Sequence, residues 1–317
     1  MSVSDKRVIE IIEFYLENGE EKTLDAFDLS NESLHVYKRR YKNKLHPEEY
    51  AKKSILRKIA DNYSDQELKA IAEGSSDLTL KNKNISFDGK EVNFYVMTDT
   101  HFGSIYTNYG NYLAMCRQIN NDKDVDFVCH CGDVTEGMSN RQGHVYELTH
   151  IGYAKQKELA IDMLNEIKAK KYIISGNHDR WYKSQNGADI VSDICENAND
   201  CEFIGHDEGD ISINKVKIKL WHGIDASSYA HSYRLQKIIE SFTGGKKPHV
   251  LLAGHVHKSG YFFDRHIHAL SAGCVQSQSK WMRGKRLPSH TGFWKVSMKI
   301  TKDSIKQFST TWFPFYD

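Results

Sequence analysis

Short apolar runs that stop abruptly at polar residues recur along the chain after about residue 85. The clearest is Asn93–Gly103 (NFYVMTDTHFG), which ends at Asp99 and His101. Runs of this length and composition predict buried strands. Residues two apart at a strand end can face the same side, so this carboxylate and this imidazole can converge on one ion. By itself, one such pair indicates only a polar turn.

Four further runs end in the same manner. They are Asp126–Asp133 (DFVCHCGD), Tyr172–Asp179 (YIISGNHD), Val216–Gly223 (VKIKLWHG) and His249–His257 (HVLLAGHVH). A glycine at most of these ends allows the backbone to turn. Strands that repeatedly present Asp, Asn or His at their carboxyl ends predict a metal site. The predicted ligands are Asp99, His101, Asp133, Asn177, His222, His255 and His257.

The composition of this ligand set indicates the kind of metal site. Carboxylate and amide oxygens mixed with imidazoles suit Mn²⁺, Fe or Zn²⁺ better than an all-oxygen Mg²⁺ or Ca²⁺ cage. Seven ligands are too many for one tetrahedral ion but fit two ions that share a carboxylate. Two-metal sites suit in-line attack at phosphorus. Cysteine is missing from the strand ends, which argues against a structural zinc site.

Helical periodicity fills the intervals between these strands, and the C-terminal part is β-rich. The predicted helices are Gly110–Asn120, Tyr153–Lys168, Asp189–Ala198 and Ser232–Phe242, and the β-rich segments are Gly260–Gly273 and Thr291–Phe313. This alternation predicts an α/β (α+β) catalytic domain over residues 85–317.

Residues 1–74 differ from the rest because their apolar pattern predicts only helices. A polar linker is predicted at 75–84. A first amphipathic helix ends near Gly19, a short segment covers Glu21–Asp28, and Ser30 is a suitable N-cap for a helix over Glu32–Lys44. Two more helices are predicted from 47 to 62 and from 64 to 73. The short helix, tight turn and basic helix resemble a helix-turn-helix DNA-binding module.

Charge supports contact with DNA in this part of the chain only. The whole chain has a net charge of +1, so it carries no global field. Between Lys38 and Lys58, however, nine basic residues face only Glu48 and Glu49, which is the pattern expected for phosphate contact. The predicted DNA contacts are Lys38, Arg39, Arg40, Lys42 and Lys44. The alternative is a solvated bundle that spaces or oligomerises the catalytic domain.

Other features bound the setting of the protein. Six cysteines are scattered without a Cys-x-x-Cys pair, which fits a reduced, intracellular setting. The N-terminus carries no apolar signal sequence, and no apolar run reaches the length of a membrane span. The sequence therefore predicts a cytoplasmic protein without a membrane partner. It is compatible with a homodimer.

The order of the five motifs resembles the calcineurin-like metallophosphoesterase family. The motifs are Asp99-Thr100-His101, Gly132-Asp133, Gly176-Asn177-His178-Asp179, His222-Gly223 and Gly254-His255-Val256-His257. The resemblance implies a four-layer αββα sandwich with two divalent ions, with Mn²⁺ favoured over Fe, Zn²⁺ or Ni²⁺. It also implies that Asp133 bridges the ions. Asp99, His101 and His257 would hold the first ion, and Asn177, His222 and His255 the second.

The resemblance further implies a hydroxide between the two metals as nucleophile and His178 as general acid. Asp99 and Asp179 are both candidates to orient His178, and Asp179 is therefore a second predicted catalytic residue. Asn140 and Arg141, in the loop after Asp133, are predicted substrate contacts. Arg180 is another, with an ordinary salt bridge as its alternative.

These features favour a metal-dependent phosphodiesterase or nuclease that acts on DNA, delivered by the N-terminal module. One alternative keeps the enzyme but changes the substrate to a cyclic nucleotide, a nucleotide or a phosphoprotein. Another is a DNA-binding regulator with a vestigial catalytic domain, and the complete ligand set argues against it.

Overall fold

The computed structural model describes residues 4–45, 82–85, 91–224, 230–243 and 247–316. The chain divides into two units, Met1–Thr79 and Leu80–Asp317. Residues 82–84, assigned to the linker from the sequence, belong instead to strand β1 (Asn82–Ile85), which pairs in parallel with Asp210–Ile213. Three of the four residues in β1 are polar, so the sequence does not distinguish this strand from a loop. The helices predicted over 47–62 and 64–73 lie outside the described residues.

Three helices make up the described part of the first unit: α1 (Asp5–Asn18), α2 (Glu20–Phe27) and α3 (Asn31–Arg40). Ser4 and Ser30 cap α1 and α3 by accepting hydrogen bonds from backbone amides. Asp28 ends α2 in the left-handed conformation, and α3 continues as a π-helical turn, Tyr41–Leu45. The helices share a small core: Val8, Ile11, Ile12, Leu16, Leu34 and Tyr41.

The second unit contains two sheets. The first has the strand order β12-β11-β2-β3-β4-β5. Its strands are β2 (Glu91–Met97), β3 (Phe127–Cys131), β4 (Lys170–Ser175), β5 (Cys201–His206), β11 (Gly292–Ile300) and β12 (Ile305–Pro314). Strands β2 to β5 run parallel, and β11 joins β2 in the antiparallel direction.

The second sheet has the order β1-β6-β7-β8-β10-β9. Its further strands are β6 (Glu208–Ile213), β7 (Val216–Trp221), β8 (Val250–Ala253), β9 (Ser259–Asp264) and β10 (Ile267–Ala272). Within it, β7, β8 and β10 run parallel to one another. Each sheet thus contains a parallel central part, and the carboxyl ends of parallel neighbours share an edge.

Helices cover the outer faces of both sheets. The helices are α4 (Tyr109–Asn121), α5 (Tyr153–Asn165), α6 (Arg180–Asn186), α7 (Ile190–Asn197), α8 (His231–Ser241) and α9 (Lys280–Gly284), with a 3₁₀ turn at His144–Glu147. In β2, Phe94 and Val96 pack between the sheets, whereas Tyr95 and Met97 pack against α4, α5 and α7. Helix α8 packs on the other sheet. Each fully buried side chain of this kind contributes about 1.5–3 kcal/mol.

The result is the predicted αββα sandwich, which confirms the fold class. The helices predicted between the strands lie within three residues of the observed α4, α5, α7 and α8. In the part of the chain that the structure describes, no helix has the length and apolar character needed to cross a membrane.

Candidate metal centre

The motif residues meet because the loops after neighbouring strands are joined by backbone hydrogen bonds. Asp99 N donates to Gly132 O (3.0 Å) and His101 N to Asp133 O (3.1 Å), which join the loops after β2 and β3. In the second sheet, Gly254 N donates to Trp221 O (2.9 Å). All seven predicted ligands therefore lie along one edge of the sandwich.

A first cluster consists of Asp99, His101 and His257. Asp99 Oδ1 lies 3.1 Å from His257 Nε2, and the two Nε2 atoms of His101 and His257 are 3.3 Å apart. The other oxygen, Asp99 Oδ2, accepts hydrogen bonds from Thr98 Oγ1 (2.6 Å) and His255 N (2.9 Å). The carboxylate is thus held in place, while Oδ1 is buried and accepts no well-aligned hydrogen bond from the described residues.

A second cluster consists of Asp133, His222 and His255. Asp133 Oδ2 lies 3.2 Å from His222 Nε2 and 3.7 Å from His101 Nε2, so it stands between the two clusters. Asn177 Oδ1 lies 3.1 Å from His222 Nε2 and joins this cluster. Asp133 is thus the carboxylate that adjoins both clusters.

The charges of the centre suit cations. Burial alone would raise the pKa of Asp99 and Asp133, but the surrounding histidines hold both below the usual range. Burial likewise lowers the pKa of His222, and Asp133 and Asp99 then raise it to about 9. Buried carboxylates of this kind need positive charge nearby. Together with the undonated Asp99 Oδ1 and the mixed oxygen and nitrogen donors, they fit two divalent ions.

The backbone is unusual at this edge. Five of the predicted ligands have positive φ: Asp99 (51°), His101 (47°), Asp133 (52°), His255 (79°) and His257 (53°). Non-glycine residues rarely adopt this region, and it costs of order 1–3 kcal/mol when they do. These unfavourable backbone conformations occur where the chain turns a predicted ligand towards the shared edge.

The motif glycines permit close approach. A Cβ at Gly176 would lie 2.2 Å from Asp133 Oδ1, and one at Gly254 would lie 2.3 Å from Thr98 Oγ1. Of Gly132, Gly176 and Gly254, Gly132 alone combines such crowding, 2.5 Å to His222 Nδ1, with a positive φ of 92°. The expectation that the glycines serve to turn the backbone therefore holds for Gly132, whereas Gly176 and Gly254 make room for the ligands.

Sequence reasoning missed Glu136, which is buried beside the centre. Its Oε2 lies 3.0 Å from His101 Nδ1, and its Oε1 lies 3.0 Å from His144 Nε2. Gln276 Nε2 also donates to Oε2 (3.0 Å). Burial would raise the pKa of Glu136, but hydrogen bonds from the two histidines lower it overall. The only sequence signal was its position three residues after Asp133.

His178 is oriented differently from the prediction. Its Nδ1 lies 2.9 Å from the backbone oxygen of Glu136, which accepts the ring proton, so neither Asp99 nor Asp179 orients it. Asp179 instead accepts hydrogen bonds from Gly176 N, Val134 N and Thr135 N, at 2.8–3.1 Å. Asp179 therefore fastens the loop after β3 to that after β4.

The predicted substrate contacts have partners within the protein. Arg180 pairs with Asp207 (2.9 Å), and Arg141 pairs with Glu147. For Arg180 this is the salt bridge kept open as the alternative. Asn140 is exposed in the same loop as Arg141. Sequence alone could not identify these partners because both depend on loop conformation.

The predicted DNA contacts in α3 and in the π-helical turn after it differ in their surroundings. Lys38 pairs with Glu20 (2.5 Å), and Arg40 pairs with Asp5. Arg39 and Lys42 are exposed. The side chain of Lys44 lies outside the described part of the chain.

A comparison with protein families identifies the second unit. The model of the calcineurin-like phosphoesterases matches residues 92–259, slightly more than half of the chain. The chain belongs to this family. The matched range contains both clusters and the loops that carry them, so the family assignment rests on the part of the chain that forms the centre.

The chain is also similar, at low identity, to individual proteins. The DNA polymerase II small subunit of Methanothermobacter thermautotrophicus is 22% identical over 241 residues, covering 61% of this chain and 50% of that protein. The chain thus spans about half the length of this curated relative. Among solved structures, an archaeal phosphodiesterase has a TM-score of 0.41 at 17% identity, covering 70% of this chain and 100% of the other. The Escherichia coli phosphoesterase Yfce has a TM-score of 0.38 at 15% identity, covering 69% and 98%.

Proposed function

We propose that this protein is a two-metal phosphodiesterase that acts on nucleic acid, with DNA as its first candidate substrate. The observation that carries the proposal is the position of Asp133 Oδ2 between two adjoining clusters of ligands. Asp99, His101 and His257 would hold one ion, and Asn177, His222 and His255 the other. When bound, two divalent ions supply an activated water and offset the charge of the phosphate. Mn²⁺ is the first ion to test.

His178 is the residue best placed to protonate the leaving oxygen. Its Nδ1–H donates to Glu136 O, which leaves Nε2 for exchange with a substrate, and its amide donates to Asp133 Oδ1 (2.8 Å). Burial lowers its pKa, although Asp133 acts in the opposite direction. A phosphate next to the ring would favour the protonated form that an acid needs.

Replacement of His178 by alanine tests this role. We expect both metals to remain bound and turnover to fall by roughly 10²–10⁴-fold, as for a lost acid–base group. Metal content separates this role from that of a ligand, because one nitrogen of His178 also lies close to His101 and Asp133. Loss of metal in His178→Ala would make it a ligand, and full activity would remove it from the mechanism.

The argument for a nucleic-acid substrate rests on charge and on one relative. Arg39 in α3 and Lys42 in the π-helical turn after it are exposed, and the basic stretch continues beyond Leu45, outside the described residues. We propose that this unit binds DNA, in keeping with the name of the DNA polymerase II small subunit to which the chain is similar. Arg39→Ala/Lys42→Ala should then weaken duplex binding, whereas Lys6→Ala/Lys22→Ala, with charges removed from α1 and α2, should not.

Mn²⁺-dependent hydrolysis of bis-p-nitrophenyl phosphate, compared with single-stranded and duplex DNA, tests the function as a whole. Hydrolysis of both kinds of substrate supports a nuclease. Turnover of the small diester with intact DNA would instead favour a small-molecule phosphoesterase. Absence of hydrolysis with every divalent ion would contradict the proposal, since the ligand set would then be vestigial.

A further inference from the structure

One surface segment next to the metal centre has no role in the chemistry described above. This segment, Ser277–Ser289, is named here the basic-aromatic segment, and it leaves and rejoins the core close to two metal-centre residues. At its start, Gln276 Nε2 donates to Glu136 Oε2 (3.0 Å) and Ser277 N to Tyr106 O (2.9 Å). Just after its end, His290 N donates to the backbone oxygen of His257 (2.8 Å). Both ends are therefore fixed beside the metal centre.

The segment is closed and ordered by its own hydrogen bonds. Ser289 Oγ donates to Gln276 O (2.7 Å), and Gln278 Nε2 donates to Leu287 O (2.6 Å). Ser279 caps α9 by accepting from Met282 N (3.2 Å), and the Met282 side chain is buried. The exposed side chains are consequently carried on a fixed backbone.

The exposed side chains of the segment are cationic or aromatic. Lys280, Arg283, Lys285 and Arg286 are exposed, and residues 277–290 contain no acidic residue. Within the part of the chain that the structure describes, no carboxylate pairs with these four side chains, in contrast to Arg141 and Arg180. The Trp281 side chain is 50% exposed between them. An unpaired positive charge of +4 favours a polyanion.

We propose that the basic-aromatic segment is a binding site for an unpaired strand of nucleic acid. Its cations would contact successive phosphates, and Trp281 would stack on one base. Stacking requires a base that is free of its complement, and backbone contact does not depend on sequence. Because the segment is fixed beside His257 and Glu136, a strand bound here leads towards the metal centre. The proposal deepens the proposed function and, as far as cleavage is concerned, rests on it.

The proposal has a quantitative consequence for salt dependence. Each phosphate contact to a single strand contributes about 0.7 to the slope of log affinity against log salt concentration. Removal of three cations should therefore reduce that slope by about 2. Loss of the Trp281 ring should weaken binding by roughly five- to a hundredfold, the range measured for base stacking on aromatic side chains, without changing the slope.

Binding is measured with the full chain and a fluorescent oligo-dT of ~15 nucleotides, by anisotropy in EDTA so that the strand stays intact. The test variants are Arg283→Ala/Lys285→Ala/Arg286→Ala and Trp281→Ala. The matched control is Lys299→Ala/Lys302→Ala/Lys306→Ala. These exposed lysines lie at the opposite edge of the sandwich, since Lys299 in β11 lies opposite Glu91, the first residue of the neighbouring antiparallel strand β2. Oligo-U and a duplex of the same sequence complete the set of probes.

We expect Arg283→Ala/Lys285→Ala/Arg286→Ala and Trp281→Ala to bind oligo-dT or oligo-U more weakly than the wild type does. The control variant should bind as the wild type does. Trp281→Ala should leave duplex binding unchanged. On an oligonucleotide substrate with Mn²⁺, KM should rise while hydrolysis of bis-p-nitrophenyl phosphate stays at the wild-type rate. Equal losses in the control variant, or an unchanged affinity in both test variants, would overturn the proposal. Strand binding without any hydrolysis by the wild type would overturn the proposed function and leave this site intact.

Discussion

The metal centre and the basic-aromatic segment are neighbours in the second unit, yet their polar residues are held in different ways. At the centre, predicted ligands such as Asp99 and Asp133 are buried and lie on left-handed backbone. In the segment, Trp281 and its neighbouring cations are exposed on a short helix with an ordinary serine cap. At the centre the side chains are held by close packing, whereas in the segment the exposed side chains are positioned only by the backbone that carries them.

The difference predicts two kinds of response to substitution. At the centre, each ligand also contacts another ligand or its loop, so a change should remove metal and activity together. In the segment, the cationic side chains are exposed and pair with no carboxylate of the described residues, so their loss should change substrate affinity and leave the chemistry intact. The variants below test this contrast from the largest expected effect to the smallest.

Asp133→Ala should have the largest effect, because Asp133 is the carboxylate between the two clusters. We expect loss of bound metal and hydrolysis below detection, measured by metal analysis of the purified protein and by turnover of bis-p-nitrophenyl phosphate. Asp303→Ala is the control, since Asp303 forms an exposed pair with Lys215. Retention of both metals with normal turnover in Asp133→Ala would show that the clusters do not share this carboxylate.

Gly176→Ala should also disrupt the centre without removing a ligand. The new Cβ would lie 2.2 Å from Asp133 Oδ1 and 2.7 Å from His222 Nε2. Gly187→Ala provides the matched comparison, because Gly187 has a φ of 78° but no atom within 4 Å of its added Cβ. Gly187→Ala should cost only about 1 kcal/mol of unfolding free energy, with metal content unchanged. Similar metal content in the two variants would show that crowding does not position the ligands.

Glu136→Gln tests the residue that links the centre to the surrounding loops. A glutamine offers one acceptor oxygen and one donor group, so it cannot accept from both His101 and His144 while pairing with Gln276. Loss of such support for a metal ligand typically reduces metal affinity by roughly 10–100-fold. Competition with a chelator measures this, with Glu147→Gln, in the exposed pair with Arg141, as control. Equal metal affinities in the two variants would show that Glu136 only fills space beside the centre.

The convergence of the seven predicted ligands could be predicted from sequence because topology brings them together. Parallel neighbours such as β2, β3 and β4 end at one edge, so an Asp or His that follows each strand must lie near the others. The same rule applies to β7 and β8 in the second sheet. The fold class follows from the same alternation of strands and helices, and the structure confirms it.

Contacts that depend on loop conformation could not be predicted. Glu136 reaches His101 and His144 only because the loop after β3 folds back over the centre. Likewise, no sequence pattern indicated that the Asp179 carboxylate would accept hydrogen bonds from backbone amides. Among the basic residues of α3, pairing with Glu20 distinguishes Lys38 from Arg39, and the partner lies 18 residues away. Composition identifies a basic helix but not which of its charges are neutralised.

The smallest predicted effect concerns a polar cluster that belongs to neither region. Asp122, at the end of α4, accepts a hydrogen bond from Tyr95 Oη (2.8 Å) and pairs with Lys295. Burial would raise the pKa of Asp122, but these partners lower it overall. Since the folded pKa is below the unfolded value, Asp122 stabilises the protein above the ordinary aspartate pKa near 4. That stability is lost as the pH falls through the folded pKa.

Asp122→Asn should therefore lower the free energy of unfolding by about 1 kcal/mol at neutral pH. The difference from the wild type should shrink as the pH falls below about 4. Urea unfolding at pH 7, 5, 4 and 3 measures the difference, with exposed Asp124→Asn as control. Because this cluster lies outside both regions, metal content and strand affinity should stay at wild-type levels. A difference that persists or grows in acid would mean that the neutral Asp122 packs better than asparagine, so the loss would arise from shape and not from charge.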